Sequence, residues 1–179
     1  MSIKVTYFVH GTTIDNEKGL ATGWEQGKLS ELGIEQSNKL PSLLKENKFD
    51  AVFCSDLKRA IDSAELAFGN KYQIIQDERL REVNYGDLTL GKEFKDELKK
   101  YIDQPFPSGE SYKDVENRMR EFVNFLKENN DGGHIAIVAH QAPQLALDVI
   151  LGDKTWQQAI DEDWRKIKAW QPGWNYIIK

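Results

Sequence analysis

An α/β fold, a three-layer α/β/α sandwich around a mostly parallel sheet, is predicted by three observations. Strand-like and helix-like segments alternate along the chain, the pattern of parallel sheets covered by helices on both faces. The run Ile135 to Ala139 is continuously apolar, as expected of a central strand buried on both sides. The chain has 179 residues, 40% hydrophobic and 30% charged, which is ordinary globular usage. A chain of this size buries roughly two-thirds of its unfolded surface. One domain over residues 1–179 is therefore expected, without a disulfide or metal staple. The one cysteine, Cys54, has no internal partner.

The elements follow in order. Residues 3–9 are β-branched and aromatic, ending in an apolar run, and read as a strand stopped by His10-Gly11. Ser30 N-caps a helix with Leu32, Leu40, Leu43 and Leu44 at a loose 3.6 period, ending near Asn47. Ala51-Val52-Phe53 is a short buried strand. Leu57, Ala60, Ile61, Ala64 and Phe68 then form an amphipathic helix closed by Gly69-Asn70. Residues 72–75 suit a third strand, and 79–87 a loop. Residues 92–102 suit a polar helix with a solvated face over the site. After Pro105, Pro107 and Gly109, a helix opens at Ser111 with Val115, Met119, Phe122, Val123 and Leu126 on one face. It stops at 129–133, before the strand that His134 opens. A helix from His140 through Leu151 follows, and 174–178 is the last strand.

Net charge −5 works against a general nucleic-acid or anionic-membrane binder. No apolar run nears the roughly 20 residues of a membrane span, and no secretory cleavage pattern is visible. A soluble, cytoplasmic protein is expected, with no nucleic-acid or membrane partner. Oligomeric state is not legible.

Parallel sheets bind ligands beyond the carboxyl ends of their strands. Two of the three histidines, His10 and His140, stand at that edge, and Arg59 opens a helix facing it. Simple strand capping is the bland reading of either histidine alone. Metal binding has no H-x-x-x-H spacing or carboxylate cluster to support it.

The residues around these positions resemble the histidine phosphatase, or phosphoglycerate mutase-like, superfamily. Val9-His10-Gly11-Thr12-Thr13 is similar to its R-H-G-E/Q-T run, and Asn16, Gly23 and Leu29 to Gln36 to its N…G…LT-x-x-G-x-x-Q segment. Ser55 to Ala60 resembles its S-x-L-x-R-A block, Leu80 to Gly86 its L-x-E-x-x-x-G loop, Pro107 to Ser111 its P-x-G-E-S turn, and Val138-Ala139-His140 its second-histidine strand. The six matches occur in family order.

The resemblance implies a phosphoglycerate mutase-like fold and a phosphohistidine mechanism that needs no metal or other cofactor. His10 would be the nucleophile, Arg59 and His140 would stabilise the phosphoryl group, and Glu82 would protonate the leaving oxygen, a role that requires a raised pKa. A surface glutamate in a loop is the bland alternative. Gly11, Thr13, Asn16, Gly23, Trp24, Arg59 and His140 would contact phosphate or substrate, Trp24 as a pocket wall. Plain turn chemistry is the alternative for Gly11 and Thr13. The departure is Val9, where the family usually carries an arginine, and Lys28, Lys58 and Arg81 are candidates to supply that charge. The expected activity is a histidine acid phosphatase-like phosphomonoesterase acting on a small phosphorylated metabolite, because the chain has little room for the insertions with which mutases cover a bisphosphate. A mutase and a weakly active or non-catalytic phospholigand binder are the alternatives. Trp164, Trp170 and Trp174 read as core closure or a partner platform, and Cys54 as a small buried residue.

Overall fold

The computed structural model describes residues 1–44, 48–92, 97–167 and 171–179. Its strands are β1 (Ile3–Val9), β2 (Ala51–Cys54), β3 (Ile74–Gln76), β4 (His134–Ala139) and β5 (Trp174–Ile178), in the order β3-β2-β4-β1-β5. β1 to β4 run parallel, and β5 joins the β1 edge antiparallel. The helices are α1 (Ile14–Glu17), α2 (Glu31–Leu43), α3 (Lys58–Phe68), α4 (Tyr112–Asn129), α5 (Gln141–Leu151), α6 (Trp156–Asp161) and α7 (Trp164–Ile167).

Side chains alternate across each strand with period two, and this alternation builds two cores. Ile3, Val5 and Tyr7 of β1, Phe53 of β2, and Ile135, Ile137 and Ala139 of β4 enter one core. Phe8, Val52, Cys54, Ala136 and Val138 enter the other. The first is roofed by Val115, Met119, Phe122 and Leu126 of α4 with Leu145 of α5 and Trp156 of α6. The second takes Ala64, Ala67 and Phe68 of α3, on which α2 packs. The result is three layers with a mostly parallel sheet in the middle.

Several elements differ from expectation. β3 starts at Ile74 rather than residue 72, because the Lys71 and Tyr72 amides still bond to the Phe68 carbonyl and only Ile74 reaches Val52. In α2 the four leucines divide: Leu40 and Leu44 pack against the second core, Leu32 and Leu43 are exposed, and Gly33 and Ser37 are buried. A Cβ on Gly33 would stand 2.0 Å from the Thr12 carbonyl oxygen, so close backbone approach docks the first turn of this helix, beside the apolar contact at its other end. α2 ends at Leu43, and its expected end near Asn47 lies outside the described residues.

The polar helix expected over 92–102 is also corrected. Lys92 pairs with Leu20 in an isolated bridge, and residues 93–96 lie outside the described residues. The rest is a single 3₁₀ turn, Leu98–Tyr101, with Leu98, Tyr101 and Ile102 buried and Tyr101 stacked on Phe106 at 3.8 Å. It closes the core rather than presenting a solvated face. α1, α6 and α7 were not anticipated, being too short to show a period. Trp164 and Trp174 pack on each other at 5.6 Å, and Trp170 lies outside the described residues. Among the described residues, no helix is long and apolar enough to cross a membrane.

Candidate active site

Register brings the two histidines together. β1 and β4 are parallel neighbours with Val9 opposite Ala139, so the residues that follow, His10 and His140, leave the sheet side by side. The His10 amide donates to the Ala139 carbonyl at 3.0 Å, and the two rings lie 5.0 Å apart. Tyr7 locks this edge: its hydroxyl donates to the His140 carbonyl at 2.6 Å and accepts from the His140 amide at 3.0 Å.

The His10 tautomer follows from its partners. Nδ1 lies 2.7 Å from the Gly11 carbonyl oxygen, which can only accept, so Nδ1 carries the proton. Nε2 therefore holds a lone pair, and the Arg59 Nε–H donates to it at 3.2 Å. Burial, then the adjacent Arg59 charge, push the His10 pKa down to about 3. His140 is fully buried and held well below the ordinary 6.5, again chiefly by burial, then by Arg59 and His10. Neither of its ring nitrogens has a hydrogen-bond partner among the described residues. An unpaired buried donor or acceptor is costly and marks a position awaiting a partner.

Arg59 is 2% exposed, in the first turn of α3. Its Nη1 and Nη2 donate to the carbonyls of Glu25 and Gly23 at 2.9 and 2.7 Å. Gly23 sits at φ +54°, in the left-handed region that glycine adopts without strain. That turn presents the carbonyl which aims the guanidinium.

Glu82 comes from the irregular loop between β3 and α4, yet it is only 7% exposed. Its carboxylate sits over the N-terminus of α5, accepting from the amides of Gln141 and Ala142 at 3.3 and 3.0 Å and from its own neighbour Val83 at 2.9 Å. Arg118 of α4 holds the loop from behind, donating to the carbonyls of Arg79, Arg81 and Glu82 and to the Glu110 carboxylate. Sequence reading missed Arg118. The available signal was its place beside Val115, Met119 and Phe122, a charge on the apolar face of the helix.

A cavity of about 50 Å³ opens beside His10, Arg59 and Glu82, lined by these three with Asn16, Leu20, Ala21, Thr22, Tyr85, Leu98 and Arg165; His140 is not on its lining. It is larger than the ~30 Å³ share of one water molecule and far below a drug-sized pocket. Asn16 is on its wall, fixed by a capping box in which Thr13 caps α1. Thr13 is fully buried in that cap, and the Gly11 amide donates to Ser63 Oγ at 3.0 Å. Trp24 is not on the wall. Its indole N–H donates to the Glu82 carbonyl at 2.7 Å and its ring lies under Arg81, so it braces the Glu82 loop instead.

The three cations expected to compensate for Val9 do not reach the cavity. Arg81 is paired bidentately with Asp56, Lys58 with Asp62, and Lys28 lines a separate apolar groove with Leu29, Ile34 and Leu66. The second guanidinium in the cavity is Arg165, from a tryptophan-rich stretch that gave no sequence signal. Cys54 is fully buried with its thiol pushed up to about 12 by burial, and is inert. Among the described residues, no group of three or more His, Cys, Asp or Glu is placed to hold a metal.

The chain is similar to known proteins along most of its length. The sequence profile of the histidine phosphatase superfamily (branch 1) matches residues 7–168. A 2,3-bisphosphoglycerate-dependent phosphoglycerate mutase of Methylorubrum populi is 31% identical over 82% of this chain and 77% of its own length. Phosphoserine phosphatase 1 of Hydrogenobacter thermophilus is 23% identical over 81% of this chain and 74% of its own. The crystal structure of the alpha-ribazole phosphatase from Shigella flexneri superposes with a TM-score of 0.73 at 26% identity, covering 89% of this chain and 83% of that one.

Proposed function

The chain belongs to the histidine phosphatase superfamily, and from that premise we propose that it removes phosphate from a small phosphomonoester through a phosphohistidine on His10. The observation that carries this reading is a neutral imidazole with a fixed tautomer: Nε2 is unprotonated and borders a cavity shared with Arg59 and Glu82. A nucleophile at phosphorus needs an unprotonated lone pair, and this one, which accepts only a hydrogen bond from Arg59, stays unprotonated well below neutral pH.

In the first step the Nε2 lone pair bonds to phosphorus and the ester P–O bond breaks. The leaving oxygen takes a proton from the Glu82 carboxyl, which regains one from water in the second step. Arg59 Nε–H, which faces Nε2 in the free protein, turns onto a phosphoryl oxygen as the N–P bond forms. His140, whose ring lies 5.0 Å from that of His10, turns its one N–H to the same group. In the second step water attacks phosphorus, Glu82 takes its proton, and the N–P bond breaks to regenerate His10 and release phosphate. Little covalent work is asked of the protein beyond His10; positioning and fixed cations do the rest.

A mutase reading is favoured by the phosphoglycerate mutase relatives at 31% identity. It requires the phosphoryl group to return to substrate before water reaches it. The test is phosphate release from a panel of small phosphomonoesters by native protein and His10→Ala. Turnover lost in His10→Ala supports the proposal, and no turnover above that variant overturns it. Interconversion of phosphoglycerates faster than phosphate release would transfer the assignment to the mutase reading.

A further inference from the structure

We propose that Arg165 is the second phosphate-holding cation of this pocket, supplied by the C-terminal segment where Val9, beside His10, brings no charge. The proposal rests on the phosphomonoester reading above and names the group that completes its anion site.

Three observations carry it. Arg165 lines the same small cavity as His10 and Arg59, whereas Lys28, Lys58 and Arg81 do not. Val9 is apolar and packs against the main core, so no side chain of β1 brings positive charge to the nucleophile. Finally, Arg165 is built in rather than draped over the surface. Asp163, 1% exposed, accepts from the Arg165 amide at 2.9 Å and from its Nε and Nη2 at 3.1 Å each. The Gln141 side-chain amide donates to the same Asp163 oxygen at 2.9 Å. Gln141 is the residue after His140, and its main-chain amide faces Glu82. The anchor of Arg165 is thus tied to the helix terminus that positions the catalytic carboxylate.

The donors left over decide what this guanidinium does. Arg59 has all three nitrogens engaged, by His10, Glu25 and Gly23. Arg165 uses Nε and Nη2 on one carboxylate oxygen, and its Nη1 has no partner among the described residues. A planar fork with an uncommitted edge on the wall of the His10 cavity is suited to phosphate oxygens. The field of Arg165 also reaches His10 and favours its neutral form. Two guanidiniums, one of them already balanced by Asp163, fit a single dianionic phosphoryl group better than a bisphosphate.

The test compares native protein, Arg165→Gln, Arg165→Lys, Lys28→Ala and His10→Ala. Two readouts are taken: kcat/KM for p-nitrophenyl phosphate, and calorimetric Kd for inorganic phosphate. Circular dichroism melts check that each variant is folded. Arg165→Gln is expected to lower kcat/KM and weaken phosphate binding by about 10- to 100-fold, the range for losing one charge-assisted contact. Arg165→Lys, which keeps charge but loses the fork, is expected to fall between Gln and native, and it carries the test if the Gln variant does not fold. Lys28→Ala is expected to match native. Native phosphate affinity and turnover in a folded Arg165 variant would overturn the proposal. Native protein no more active than His10→Ala would instead overturn the phosphatase reading, and the phosphate Kd of the Arg165 variants would still decide the role of Arg165.

Discussion

Gly23 shows how much of the site hangs on single residues. Its left-handed φ of +54° turns a carbonyl onto Arg59, and a Cβ there would stand 3.0 Å from the Tyr85 ring. Gly23→Ala is expected to cost about 1–2 kcal/mol from backbone strain alone. It is also expected to raise KM, because Arg59 loses the carbonyl that aims it. Urea unfolding and steady-state kinetics on one preparation check both, and an unchanged KM would show that Arg59 is positioned without Gly23. Trp24 teaches the converse. An aromatic near a pocket entrance reads as a wall, yet the indole N–H has found the Glu82 carbonyl and the ring has found Arg81. Where an amphipathic side chain turns is decided by which polar partner its one donor meets.

At the scale of elements, the Glu82 loop is the part most in need of support, since it carries a reacting carboxyl without regular structure of its own. Arg118 on α4 supplies that support through three carbonyls and Glu110, and the helix is itself anchored by the Ser111–Asp114 capping box. Arg118→Met takes the donor from the Arg79 and Arg81 carbonyls and the cation from the partly buried Glu110, which keeps only the Asn84 amide, while the Glu82 carbonyl keeps Trp24. It is expected to destabilise the fold by about 3 kcal/mol and to lower kcat more than it raises KM. Chemical denaturation and kinetics check this; a stability loss with native kcat would mean that Glu82 is held in place without Arg118. The same scale explains α2, where the apolar period pointed to four leucines, Leu40 and Leu44 pack on the second core, and the first turn docks through Gly33. Periodicity reports which residues are apolar. It does not report where two backbones pass within touching distance.

At the scale of the whole molecule, both histidines of the site sit neutral at one sheet edge, which makes stability depend on acid. His10 is held at about 3 and His140 well below 6.5, so below neutral pH the unfolded chain binds protons that the folded chain refuses. Stability therefore rises with pH in that window and is lost as pH falls from 6.5 toward the folded values. The slope reaches at most about 1.4 kcal/mol per pH unit for each histidine. The urea midpoint is expected to drop between pH 7 and pH 5, and to drop less in His140→Gln. Equal drops in both would assign the acid lability to other groups. His10 itself stays unprotonated across this range, so its own titration takes no activity away above about pH 4.

By itself the sequence determined the alternation of strands and helices, the parallel sheet, the two histidines at its edge and the arginine opening α3. Each is written locally, in an apolar run, a helical period or a residue directly following a strand. Six short motifs in order also sufficed for the family. Only the tertiary structure decided what surrounds those residues: the neutral state and tautomer of His10, the bracing of Glu82 by Arg118 and Trp24, the docking of α2 through glycine, and the arrival of Arg165 from far along the chain. These depend on burial and on contacts between segments remote in sequence. A local pattern carries no record of which distant charge will share a cavity, and that pairing sets how the site holds phosphate.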